Sequence, residues 1–214
     1  MKERPILFSA SMVRAILGGR KTQTRRALKV QPLDILPMQE GKAGVEWVGL
    51  MQREPKSKGT VFSCKFGQHG DRLWVRETWQ GPILESDEHF DEYRESPDVF
   101  KKPGFCVYRA TDTLDAVDED GNELGWRPSI HMPRWASRIL LEIVSVRVER
   151  LQDIGEADAE AEGCSVPEII YPDEPRESYS YVAAYRHLWE SINGIGSWDA
   201  NPWVWVIEFK RVQP

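Results

Sequence analysis

What the chain has little of narrows its class before any motif is read. Cysteine occurs three times in 214 residues, at Cys64, Cys106 and Cys164, with no CxxC spacing. That excludes a disulfide framework and a zinc knuckle and leaves reduced, structural thiols as the expectation. The four histidines, His69, His89, His131 and His187, are scattered without HxxxH or HxE pairing. The H-x-E and P-C-x-x-C elements of a zinc deaminase are missing as well, so neither a metal nor a cofactor is expected. No apolar run approaches the roughly 20 residues that span a bilayer. The opening Met1-Lys2-Glu3-Arg4-Pro5 meets only Ile6-Leu7-Phe8, too little for a signal peptide. A cytoplasmic protein without a membrane partner is therefore expected. A net charge of −6 argues against coating nucleic acid with the whole surface. The last scarcity is local: from Arg4 to Gln31 there are seven basic residues and no acid. Such a run repels itself, so carboxylates of the same fold or an anionic or electron-rich ligand must offset it.

What is present describes a globular chain with a real core. Hydrophobic residues make up 41% and charged residues 29%, and the length suits one large domain. Nine tryptophans exceed what a core needs, and some are candidates to stack a planar ring. Ile6-Leu7-Phe8 reads as a strand, and Ser9 or Ser11 can cap a helix whose stripe is Met12, Ala15 and Ile16. Gly18-Gly19 stops that helix, and Thr22 to Ala27 is extended, with Thr22, Thr24 and Arg26 on one face and Gln23 and Arg25 on the other. Residues 30–44 read as irregular, followed by strands at Val45–Leu50 and Val61–Phe66. In Arg72–Trp79, Leu73, Val75, Glu77 and Trp79 share one parity, which takes a carboxylate to the apolar side. Burial there means pairing or function for Glu77, through an ion pair with an arginine such as Arg26 or Arg76 or through contact with a ligand.

Residues 81–104 and 112–125 read as acidic loops around a strand at Phe105–Ala110. The strongest strand runs from Ser137 to Arg150, with a parity flip near Val144 that suggests a bend in a small barrel. Asp153 and Glu156 resemble a capping box for a short helix ended by Gly163. Residues 165–177 read as loop. A helix from Tyr179 to Ser191 turns Val182, Tyr185, Leu188, Trp189 and Ile192 to the core, and Trp203–Phe209 closes the chain as a strand. This order suggests an α+β fold: a single β-barrel with helices packed outside.

The stretch Ile16-Leu17-Gly18-Gly19-Arg20-Lys21-Thr22-Gln23-Thr24-Arg25-Arg26 resembles the opening signature of ASCH domains, a branch of the PUA-like barrels. Gly19, Lys21 and Arg26 match its G-x-K-x-x-x-x-R pattern. Leu151-Gln152-Asp153-Ile154 to Ala161-Glu162-Gly163 resembles the helix after the long central strand, and Trp205-Val206-Ile207-Glu208-Phe209 the closing strand. Gly70 to Trp79 and His131-Met132-Pro133-Arg134-Trp135-Ala136 look like a larger, phage- and prophage-associated branch. The resemblance implies a mixed PUA-like barrel with peripheral helices, forming one domain over residues 1–214. Long insertions would lie around 30–60, 81–104, 112–130 and 165–177.

It also implies an activity. A small bacterial ASCH member is an amidohydrolase that removes the acetyl group from N4-acetylcytidine with a lysine, a threonine three residues later and a distant glutamate. Lys21 and Thr24 match the first two, and Glu162 the third, with Glu156 and Glu160 on the same helix. Thr24 attacks only if a base takes its proton. Lys21 serves if like-charge repulsion from Arg20, Arg25 and Arg26 lowers its pKa. Arg26 shares parity with Thr24 and is the candidate to hold a carbonyl or oxyanion. Glu77, Trp79, His131 and Trp135 are candidates to bind the substrate. The expected ligand is a small modified nucleoside or nucleobase, and RNA on a basic cleft is the alternative partner. Without the resemblance, the Lys/Thr pair is helix-end chemistry and strand propensity, and Glu162 a solvated helix residue or a salt-bridge partner for one of the arginines.

Overall fold

The computed structural model describes residues 1–37, 47–50, 60–84, 87–113, 125–166 and 180–213. Its first half contains β1 (Glu3–Leu7), α1 (Ala10–Leu17), β2 (Gln23–Ala27), β3 (Asp34–Pro37), β4 (Trp47–Leu50), β5 (Thr60–Phe62), β6 (Arg72–Arg76), β7 (Trp79–Gln80) and α2 (Asp87–Glu95). The second half contains β8 (Val107–Tyr108), β9 (Leu140–Arg150), α3 (Glu156–Ala161), α4 (Tyr181–Asn193) and β10 (Trp203–Val212). The fold is mixed α+β with several sheets, none of them closed into a barrel. Among the described residues no helix is long and apolar enough to cross a membrane.

The chain divides into two compact units. The first comprises Met1–Leu17, Arg72–Leu141 and Arg211–Pro214. Here β1 runs parallel to β6, with Ile6 opposite Val75. The alternation over Arg72–Trp79 is as the sequence indicates: Leu73, Val75, Glu77 and Trp79 are all buried. In α1 the buried stripe is Val13, Ala15 and Ile16, one residue away from the expected Met12, and Ser9 Oγ accepts from the Met12 amide at 3.5 Å. The acidic stretch read as loop contains α2, whose His89 and Tyr93, four residues apart, each meet the Phe100 ring edge-on at 5.6 and 5.8 Å. These two rings, one helical turn apart, anchor the charged helix on a buried phenyl. The strand expected at Phe105–Ala110 shrinks to the two residues of β8, which pair with β7.

The second unit comprises Gly18–Asp71 and Glu142–Lys210. Strand β10 lies between β9 and β2. It is antiparallel to β2, with Val206 opposite Arg25, Trp205 opposite Arg26 and Ile207 opposite Thr24. β3, β4 and β5 form an antiparallel meander, so part of the segment read as irregular is a strand; 38–46 lie outside the described residues. Loops expected at 112–125 and 165–177 fall largely on residues outside the description. Val204 and Val206, on one face of β10, pack with Leu151, Ile154, Ala159, Tyr185 and Trp189 beneath α3 and α4. Ile192, expected in this core, is 55% exposed at the end of α4.

The expected capping box is rearranged. Asp153 accepts from the Arg150 amide in a single helical turn over Leu151–Asp153. Gly155 caps α3 without a side chain. The Glu156 carboxylate instead accepts from the Tyr181 and Val182 amides, satisfying the open end of α4.

Candidate active site

The site begins where α1 stops. Gly19, with φ of +73°, turns the chain in a conformation that disfavours a side chain, and two residues later Lys21 forms an isolated antiparallel bridge with Glu162. From there the chain enters β2 with alternating faces. Gln23 Nε2 donates to the Asp158 carbonyl at 2.7 Å, and the Arg25 guanidinium reaches Asp158, Glu149 and Glu162. Thr24 and Arg26 therefore belong to the opposite face, the parity the sequence indicates.

Across from β2, α3 presents its carboxylates by helical spacing. Asp158 and Glu162 are four residues apart and fall on one face, and Glu162, the C-cap residue, keeps helical backbone angles. Glu156 is occupied at the start of α4, so the structure selects Glu162 as the partner of Lys21. Lys21 Nζ donates to Glu162 Oε2 and to the Glu162 carbonyl, each at 2.7 Å. Arg25 Nη1 donates to the other oxygen, Oε1, at 3.3 Å. The exposures of Lys21 and Glu162 are 2% and 3%. Thr24 is just as buried, opposite Ile207.

The network continues outward. Arg25 Nη2 lies 2.5 Å from Glu149 Oε1 and 2.7 Å from Asp158 Oδ2. Arg147 meets the same Asp158 oxygen at 3.0 Å, Glu149 Oε2 at 3.0 Å, and also Glu208. Lys21 and Arg25 of the basic run are thus offset by carboxylates from the far half of the chain, the first of the two possibilities its charge allows.

Burial pushes the Lys21 ammonium below its usual range; Glu162 opposes this by charge and hydrogen bond, and the Arg26 charge reinforces it. Arg20 is exposed, so the expected repulsion reduces to a smaller contribution behind burial. Burial also lowers Arg26 against the pull of Glu162, and raises Tyr185, with Glu162 adding to the rise. The Cys164 thiol is pushed up to about 11 by burial and by Glu162. It stays protonated near neutral pH, which rules it out as a ready thiolate. A cavity of about 420 Å³ lies against this bridge, lined by Arg20, Thr22, Ala161, Cys164 and Tyr181 among others. Its lining includes neighbours of Lys21 and Glu162 in the chain, and Cys164 feels both of their charges.

The remaining candidates belong to the first unit. Glu77 is paired, but with neither Arg26 nor Arg76: Arg138 grips it by Nε at 2.9 Å and Nη2 at 3.0 Å. Arg76 instead donates to the carbonyls of Met132 and Ile130. Arg138 also stacks on Tyr108, 3.9 Å from the ring centroid, and Tyr108 donates its hydroxyl to the Ala136 carbonyl at 2.8 Å. Trp79 is a core residue, met edge-on at 5.5 Å by the half-buried Trp135. His131 is exposed on a single turn. Among the described residues no three His, Cys, Asp or Glu side chains gather to hold a metal ion.

No family model, curated protein or solved structure matches the chain. The salt bridge from Glu162 to one of the arginines is made by Arg25; the residues that sequence reasoning missed are Glu149, Asp158 and Arg147 around it. Two signals were available: Gln23 and Arg25 share a strand face, and Asp158 and Glu162 share a helix face.

Proposed function

We propose that this chain is an amide hydrolase of the ASCH type on a PUA-like scaffold, acting on N4-acylated cytosine, cytidine or related nucleosides. The observation that carries the reading is the Lys21–Glu162 pair: a lysine sealed from water, held at 2.7 Å by one carboxylate oxygen, with its affinity for a proton reduced by burial. A lysine in that state is a proton carrier rather than a surface cation.

In the reaction, neutral Lys21 takes the proton of an attacking water, because Thr24 lies on the face of β2 away from the Lys21–Glu162 pair. The new C–O bond forms as the acyl C–N bond breaks. Lys21 returns the proton to the departing amine, and Glu162 steadies the ammonium in between. Water completes the balance, giving a carboxylic acid and a free exocyclic amine. Arg26 acts on the Lys21–Glu162 pair through its charge, which favours the neutral lysine. The cavity beside the bridge is lined by chain neighbours of Lys21 and Glu162, such as Arg20, Thr22, Ala161 and Cys164, and not by Lys21, Thr24 or Glu162 themselves. Glu77, Trp79, His131 and Trp135 have no part in this scheme.

An RNA-binding role stands second, because it needs cations able to meet phosphates, and carboxylates already engage Lys21 and Arg25. The test is steady-state hydrolysis of N4-acetylcytidine and its longer and aromatic N4-acyl analogues. Lys21→Met and Glu162→Gln are each expected to lower kcat/KM by about 10²–10⁴-fold while keeping the far-UV circular dichroism of the parent. A parent protein that turns over none of the acyl series overturns the proposal.

A further inference from the structure

We infer that the second unit carries a separate binding site for a small aromatic acid, a planar apolar ring bearing one carboxylate. Where β2 runs out, a cavity of about 300 Å³ opens between Leu28, Pro32, Phe62 and Trp205. Its size is at the lower end of small-molecule sites, which run from about 300 to 1,000 Å³. Neither Lys21, Thr24 nor Glu162 lines it, so it does not depend on the proposed hydrolysis.

The walls are formed in advance. Trp205 is held edge-on by Trp47 at 5.0 Å and by Phe62 at 5.6 Å, which fixes its ring. Gly49 lets the other side close: a Cβ there would stand 3.0 Å from Pro32 Cβ and 3.1 Å from Phe62 Cε1. A ligand therefore meets rigid aromatic walls and spends little on ordering them.

Charge selects the occupant. Among the described residues, the charged residues lining the cavity are Lys29 and Lys65, both exposed, and no acidic side chain joins them. Among the described residues neither is in an ion pair; Lys65 Nζ lies 4.9 Å from the Phe66 ring. This contrasts with Lys21 and Arg25 of the same basic run, each matched by carboxylates. Two ammonium groups beside an aromatic hollow, in a chain of net charge −6, suit an anion with an apolar body. Inorganic phosphate would leave the walls unused, and a neutral hydrocarbon would leave the lysines unused.

Isothermal titration of the full chain with 1-naphthoate, and with neutral 1-naphthalenemethanol for comparison, tests the site. One equivalent of 1-naphthoate is expected to bind saturably, at least tenfold more tightly than the alcohol. Lys29→Glu/Lys65→Glu should weaken it at least tenfold, and Ser63→Trp, from an exposed lining position, should block it. Absence of saturable binding up to millimolar 1-naphthoate overturns the inference. So does equal binding of the alcohol, or binding that survives the charge reversal in a protein with parental circular dichroism.

Discussion

Glu162→Gln separates a paired lysine from a stranded one. The Lys21 side chain is fully sheltered and that of Glu162 nearly so. Substitution leaves the ammonium with a neutral acceptor and turns an amide towards Arg25, which keeps Glu149 and Asp158. Breaking a buried pair by removing one partner costs about 3–5 kcal/mol, because the remaining charge is buried without compensation. Gln retains one acceptor oxygen for Lys21, so about 3 kcal/mol is expected. At about 2–4 °C per kcal/mol for a chain of this length, Tm should fall by roughly 6–12 °C.

The sign of the pH dependence is a sharper check. In the folded state Lys21 releases its proton below the ordinary lysine value of 10.5, whereas the unfolded chain still holds it. Stability therefore rises with pH between the folded value and 10.5, by up to about 1.4 kcal/mol per pH unit. Removing Glu162, which holds the proton on Lys21, widens this window downward. The deficit of the variant against the parent should then shrink as pH rises from about 7 towards 10. Replacing both members with apolar residues, Lys21→Met/Glu162→Leu, should cost less than Glu162→Gln alone. Denaturant melts followed by circular dichroism measure all three proteins. A Glu162→Gln protein within about 0.5 kcal/mol of the parent, or a deficit that is the same at both ends of the pH range, refutes the reasoning.

Other perturbations reach the neighbouring charges. Burial raises the Asp158 carboxyl, but its hydrogen bond from Arg25 and the charges of Arg25 and Arg147 outweigh this and hold it below its usual 3.8. It contributes stability above that value which is lost as pH falls through the lower folded one. Asp158→Asn should thus cost about 1 kcal/mol near neutral pH and flatten the acid loss, as urea melts at about pH 3 and 7 would show; an unchanged acid slope contradicts it. In the first unit, Glu77→Gln replaces the carboxylate gripped twice by Arg138 and should cost about 2–3 kcal/mol. A thermal midpoint within a degree or so of the parent would show that Arg138 finds equal partners elsewhere.

What the sequence disclosed and what it concealed divide along physical lines. Strand parity is a local property, so Leu73, Val75, Glu77 and Trp79 could be assigned to the buried side, and Gln23 and Arg25 to a common face, before any coordinates. Helix ends marked by glycine were equally legible, as at Gly19 and Gly163, both at positive φ. α2 escaped because its charge masked a single pair of aromatic contacts at His89 and Tyr93, whose benefit depends on Phe100 being within reach. Pairings over long separations escaped for a related reason. Glu77 and Arg138 are 61 residues apart, and Arg25 and Glu162 are 137 apart, with several equivalent arginines available to each carboxylate. Periodicity says which face a charge occupies but leaves open which element covers that face. That limit also shows how the catalytic candidates should be weighed. Lys21 and Glu162 were joined by resemblance before they met in space, whereas Arg25, absent from the signature, competes with Lys21 for the same carboxylate. A second cation on Glu162 leaves less of its charge to hold the proton on Lys21. The lowered proton affinity of Lys21 is therefore set first by burial, opposed by Glu162 and reinforced by the charge of Arg26, while Arg25 acts on it only through the carboxylate they share.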